Sequence, residues 1–121
     1  MIHKMNLHPE PFKMIRDGSK TIELRLNDEK RSLIQVGDSI EFTNTSNQEE
    51  KIHVNVIQIH RFGSFDELYK QLRLDQCGYT PSEVATAKPS DMLVYYPQEK
   101  QNQYGVLGIE VELQKTHSTE R

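Results

Sequence analysis

The sequence predicts an α+β fold: a small, mixed, partly closed β-barrel of about five to six strands flanked by two or three short helices. Three observations lead there. Short runs of period-two alternation recur along the chain, as in Ile22-Leu24-Leu26 and Leu107-Ile109-Val111-Leu113. The helical stretches fall between them without the regular strand–helix alternation of a doubly wound parallel sheet. One strand changes parity midway, from Ile52, Val54 and Val56 to Ile57 and Ile59, which marks a bulge able to bend a strand around a barrel.

Each element follows from local chemistry. "PEPFKMIRDG" predicts a first helix: Phe12 and Ile15 lie three apart, proline sits near the start, and Gly18 is placed to end it. A strand follows over about Lys20–Leu26. "NDEKRSLIQVGD" reads as a polar connection closing in a turn at Gly37-Asp38, and "SIEFTN" as a strand alternating through Ile40 and Phe42. "TNTSNQEE" predicts a loop, because Ser, Thr and Asn side chains bond their own backbone. The bulged strand comes next. "SFDELYKQL" opens a helix with a Ser64/Glu67 capping box, and Thr80-Pro81-Ser82-Glu83 opens another with proline at its first position. "MLVYY" and "YGVLGIEVEL" predict two more strands, and "QKTHSTER" a frayed tail.

At 121 residues the chain is long enough for one domain with a modest core, over about residues 8–113, with 114–121 as the tail. It is 35% hydrophobic and 27% charged, within the range of folded proteins rather than disordered ones. No apolar run reaches membrane-spanning length, and "MIHKMNLHPEP" lacks the apolar core of a signal peptide, so a cytoplasmic protein is the simplest reading. Cys77 is the only cysteine, which excludes an internal disulfide and a thiolate metal cage. With no acid or His tied to it by sequence, Cys77 reads as inert. The five histidines show no metal-ligand pairing, and no Gly-rich phosphate loop occurs, so neither metal nor cofactor is expected.

The net charge of −3 argues against a general duplex-coating protein. The charge is uneven, however. Residues 1–31 hold seven Lys/Arg against five Asp/Glu, a net of +2, so the remainder carries −5. A basic patch can assemble only in the opening segment.

That segment contains "GSKTIELRL", in which residues 18–25 read Gly-x-Lys-x-x-Glu-x-Arg. On a strand, residues two apart share a face, so Glu23 and Arg25 are neighbours. Lys20 has the opposite parity and joins them only if it precedes the regular strand or its stem wraps around. The bland alternative is an i,i+2 ion pair on a solvated strand. The pattern resembles the signature of the ASCH domain family, of the PUA-like β-barrels. "HPEPFKMIRDGSKTIELRLNDEKR", "IQVGDSIEF", "IHRFGSFDEL" and "YYPQEKQNQYGVLGIEVEL" are family-like in the same order, so the resemblance covers roughly residues 8–113.

The resemblance implies a cleft beside Lys20, Glu23 and Arg25, and RNA or a modified nucleoside as partner. The chemistry of the residues is compatible: Arg carries a planar fork of donors suited to phosphate or a base edge, and Glu accepts from an exocyclic amine such as that of cytosine. Lys30 and Arg31 would extend a phosphate-binding rim. Tyr79, Tyr95, Tyr96 and Tyr104 are candidates for stacking on a base. Tyr96 is favoured, because it shares parity with Met92 and Val94 and Pro97 places it at a strand end. Residues 72–90 are weakly periodic, and Cys77-Gly78 and Lys88-Pro89 punctuate them as they would a cover over the cleft.

The alternative is an enzyme using the same cleft. One branch of the family deacetylates N4-acetylcytidine, with a motif resembling Lys-x-x-Thr-x-Arg whose Thr is the nucleophile. Here that position is Glu23, and Thr21 is two residues out of register. An amidohydrolase would then use Glu23 as general base and Lys20 as oxyanion stabiliser. In a ribonuclease, Lys20 and Arg25 would stabilise phosphoryl charge. A third possibility is a protein-interaction domain in which the motif is a structural ion pair.

Overall fold

The computed structural model describes residues 1–114. Five strands form one sheet: β1 (Ile2–Leu7), β2 (Ile22–Leu26), β3 (Ser39–Asn44), β4 (Asn47–Phe62) and β5 (Val106–Leu113). Their order is β1-β3-β4-β5-β2, with β1 and β3 parallel and the other pairs antiparallel. The sheet curls into a partly closed barrel that brings its two edge strands, β1 and β2, towards each other. The helices are α1 (Pro9–Asp17), α2 (Phe65–Gln71), α3 (Pro81–Val84) and α4 (Gln98–Tyr104), with short 3-10 turns between them. Only α1, α2 and α4 exceed a single turn, so the mixed barrel with a few short helices is the fold the sequence predicts.

The curl depends on β4. This strand is 16 residues long, pairing with β3 through its first half and with β5 through its second. The register shifts between Val56 and Gln58, so Ile57 has no partner on β5 and stands half out in solvent. The extra residue kinks the strand and lets it serve both walls. It is the bulge expected from the parity change.

Two apolar clusters result. One fills the curl under α1, whose Phe12 and Ile15 are buried against Phe42, Val54, Leu107 and Ile109. Burial of such side chains stabilises by about 1.5–3 kcal/mol each. The other packs Ile22, Leu24 and Leu26 of β2 against Phe65 and Leu68 of α2 and Met92. As predicted, Gly18 ends α1: its φ of +88° suits glycine, and its N–H returns to the Ile15 carbonyl. The Ser64 hydroxyl also accepts from Glu67 N–H at the start of α2.

Two expectations are corrected, and two elements are added to those the sequence predicts. "MLVYY" is not a strand: Pro89–Val94 form a 3-10 helix. Asp91 accepts the Lys88 N–H at its start, and Tyr95 and Tyr96 both donate to the Met92 carbonyl. Met92 is therefore buried while Val94, of the same strand parity, is 84% exposed. "TNTSNQEE" is not a loop but a two-residue turn at Thr45-Ser46, after which β4 begins at Asn47. The Asn44 side chain accepts the Ser46 N–H there, so the local bonding the composition announced serves a hairpin. β1 and α4 were not foreseen. In β1 the buried set is His3, Met5 and Leu7, while Ile2 faces solvent, an inverted pattern stabilised by a His3–Asp38 contact of 2.9 Å. α4 is almost wholly polar, yet Pro97 and Gly105 bracket it. Of the expected tail, Gln114 is anchored by its N–H to the His53 carbonyl, and residues 115–121 lie outside the described residues.

Candidate functional site

β2 is an edge strand paired only with β5, where Glu23 faces Ile109 and Arg25 faces Leu107. Directly opposed residues share a face, so Glu23 and Arg25 point into the curl while Ile22, Leu24 and Leu26 pack outward under α2. Lys20 precedes the regular strand, held by its N–H to the Met14 carbonyl, and its side chain reaches the same carboxylate. The parity objection is thus resolved by position.

The three side chains form one buried cluster. Lys20 Nζ lies 2.8 Å from Glu23 Oε1, and Arg25 Nε lies 2.6 Å from Glu23 Oε2. Arg25 Nη2 also donates to the Asn6 carbonyl of β1 at 2.7 Å. Glu23 is 4% exposed. Burial alone would push its pKa up, but the two cations outweigh burial and hold it below the ordinary carboxylate value.

Above this cluster lies a half-open cleft of about 660 Å³. Its walls come from β1 (Asn6, Leu7), α1 (Glu10, Pro11, Met14), Gly78, Met92, Tyr95 and Tyr96. Of residues 72–90, Gly78 lines the cleft. Thr21 N–H donates to the Gln76 carbonyl, and a Cβ added to Gly78, whose φ is +109°, would stand 3.5 Å from Cδ of Lys20.

Lys20, Glu23, Arg25 and Tyr96 are thus brought together. Lys30 and Arg31 are not among the lining residues; Arg31 instead pairs with Asp28 at 2.9 Å. Tyr96 has one ring face stacked on Phe65, with centroids 6.2 Å apart. Tyr95, passed over in favour of Tyr96, is 61% exposed in the cleft wall. Tyr79 bonds to Tyr69 and Asp91 by its hydroxyl and does not line the cleft. Asn6, His8 and Thr45 were missed. Asn6 contributes a backbone carbonyl, for which no side-chain signal exists. Cys77 is buried and donates to the Arg73 carbonyl; burial, only partly offset by Lys20, pushes its thiol up to about 12. Among the described residues no group of three or more His, Cys, Asp or Glu is arranged for a metal ion, and no helix is long and apolar enough to cross a membrane.

A partly closed, five-stranded mixed barrel flanked by short helices is a PUA-like fold. Within that class the chain belongs to the ASCH domain family, whose model matches residues 5–115. Among solved structures it is similar to the hypothetical protein PH0355, with 29% identity and a TM-score of 0.77 over 94% of this chain and 100% of that one. It is also similar to protein PF0455 from Pyrococcus furiosus, with 31% identity and a TM-score of 0.69 over 96% and 100%. A mutant of the ASCH protein from Zymomonas mobilis shares the fold at 16% identity, with a TM-score of 0.63 over 94% of this chain and 68% of that one. No curated protein sequence matches the chain. Membership of this family is consistent with an RNA-related binding function.

Proposed function

We propose that the cleft binds single-stranded RNA or a free modified nucleoside, admitting one base between Tyr95 and the Lys20–Glu23–Arg25 floor. The observation that carries this reading is the buried charged cluster at the base of a cleft whose volume suits a small ligand. An exposed tyrosine at the mouth supports it, since bases of any sequence stack on aromatic rings. The floor is rigid: Arg25 is held at two nitrogens and Lys20 at one, so little side-chain entropy remains to be lost on binding.

The hydrolytic readings receive less support. A general base needs a pKa near the working pH, and that of Glu23 moves the other way. Both its oxygens are already engaged. The nucleophile position holds Glu23 itself, and Thr21 is not among the lining residues.

The test is fluorescence anisotropy of labelled single-stranded and hairpin RNAs at low salt, with wild type and the Tyr95→Ala and Lys20→Met variants. Binding that weakens with salt and falls in both folded variants supports the reading. Absence of binding to every strand and to free nucleosides overturns it. Release of cytidine from N4-acetylcytidine, detected by mass spectrometry and lost in Lys20→Met, would replace it with the amidohydrolase.

A further inference from the structure

Resting on the base-binding reading, we infer that Tyr96 meets the bound base through its hydroxyl, while its ring serves packing. The sequence offers Tyr96 as a stacking ring. The fold gives that ring a partner within the protein and leaves the phenolic oxygen unpaired.

The ring is fixed in place. One face stacks on Phe65, with centroids 6.2 Å apart and planes 19° from parallel. The backbone of Tyr96 is held at both its polar groups. Its N–H donates to the Met92 carbonyl at 2.9 Å, and its carbonyl accepts from the buried Gln101 side chain at 2.8 Å. A ring so anchored presents its hydroxyl preorganised, with little ordering left to pay for on binding.

The hydroxyl itself makes no hydrogen bond among the described residues, nor is it sealed in. The side-chain atoms buried there without a partner are Asn27 Oδ1 and Arg31 Nε. Other tyrosines differ. Tyr69 and Tyr79 pair hydroxyl to hydroxyl at 2.7 Å, and Tyr79 donates to Asp91. The Tyr95 and Tyr104 hydroxyls also lack partners among the described residues, but Tyr95 is mostly in solvent and Tyr104 does not line the cleft. Tyr96 is half-buried and lines the cleft beside Lys20, Glu23 and Arg25.

Burial, only partly opposed by Arg25, raises the Tyr96 pKa, so at neutral pH the group is a hydroxyl able to donate and to accept. Base edges carry both donors and acceptors, so such a hydroxyl serves any base. A base seated against the floor shields the hydroxyl from solvent. A polar group shielded without a partner weakens binding, whereas one that meets a polar atom of the base strengthens it. Tyr95 then supplies the stacking face and Tyr96 an in-plane contact.

The experiment removes one oxygen. Labelled single-stranded RNA is titrated by anisotropy against wild type, Tyr96→Phe and Tyr95→Phe, with a thermal melt of each protein. Tyr96→Phe loses no bond within the protein and should melt within about two degrees of wild type. It should bind RNA about fivefold more weakly. Tyr95→Phe keeps its ring and should bind as wild type does. The deficit of Tyr96→Phe should vanish with an abasic strand, and its affinity should fall with salt as steeply as that of wild type, because no phosphate contact is lost. Wild-type affinity in Tyr96→Phe overturns the inference while the RNA reading stands. A deficit that persists with the abasic strand overturns it by moving the contact to the sugar-phosphate backbone. A Tm lowered by several degrees overturns it by giving the hydroxyl a structural role. Failure of wild type to bind any strand or free nucleoside overturns both.

Discussion

Arg25 on β2 donates from Nη2 to the Asn6 carbonyl on β1 at 2.7 Å, joining the two edges of the sheet by one side chain. The same guanidinium holds Glu23 through Nε at 2.6 Å. The residue at the cleft floor therefore also closes the barrel. Arg25→Met should cost about 3 kcal/mol, because it leaves Glu23 buried with one cation and opens the seam. Arg25→Lys keeps the charge but not the fork, and should lose less. Urea denaturation measures both; wild-type midpoints for the two variants would refute the closure.

The Glu23 cluster also makes stability depend on pH. Burial raises the Glu23 pKa, and Lys20 and Arg25 more than reverse this, so the folded value lies below the ordinary 4.5. A depressed carboxylate contributes stability above its unfolded pKa and loses it as pH falls through the folded one. Wild type should therefore lose stability below about pH 4.5 more steeply than Glu23→Gln, though the variant is the less stable at neutral pH. Asp17, Asp38, Glu41 and Asp91, all lowered chiefly by hydrogen bonds, titrate in the variant as in wild type and leave it some acid sensitivity. Parallel Tm-against-pH curves for the two proteins would show that Glu23 is not the group responsible.

Tyr95 and Tyr96 should separate binding from packing. Tyr95 is mostly exposed, whereas Tyr96 stacks on Phe65 and is half-buried. Tyr95→Ala should leave Tm within a degree or two and weaken RNA binding by about 1–3 kcal/mol. Tyr96→Ala should lower Tm markedly, having removed an aromatic contact from the second apolar cluster. Thermal melts beside anisotropy titrations check the pair, and the opposite assignment would make Tyr96 the stacking ring.

Cys77 should be chemically silent in the folded protein. Its thiol is buried, and burial pushes it up to about 12, so little thiolate exists at pH 8. Iodoacetamide should label it slowly in buffer and rapidly in concentrated urea, as read by intact mass. Fast labelling of the native chain would mark a reactive thiol instead.

Alternation and punctuation made much of this molecule readable. Phe12 and Ile15 with Gly18 announce α1, Ser64 with Glu67 announces α2, and the parity change at Val56-Ile57 announces the kink in β4. These are interactions between residues a few positions apart, and such interactions leave a period in the chain. The Lys-x-x-Glu-x-Arg run announces a charged cluster for the same reason. β1 was hidden because its inward face begins with His3, whose partner Asp38 lies 35 residues away, while the apolar Ile2 faces solvent. "MLVYY" misled because an apolar run carries no period of its own, and the Pro89–Asp91 start decided for the 3-10 helix. The i,i+2 spacing offered Arg25 as a partner of Glu23, but only the tertiary structure decided on Lys20 as the second. The fold brings Lys20 in from before the strand and anchors Arg25 on the Asn6 backbone. A backbone acceptor has no letter in the sequence, and burial of the carboxylate depends on both edges of the sheet meeting. The charged residues were legible one by one, but which donors and acceptors remain free at the floor was decided by the curl of the barrel.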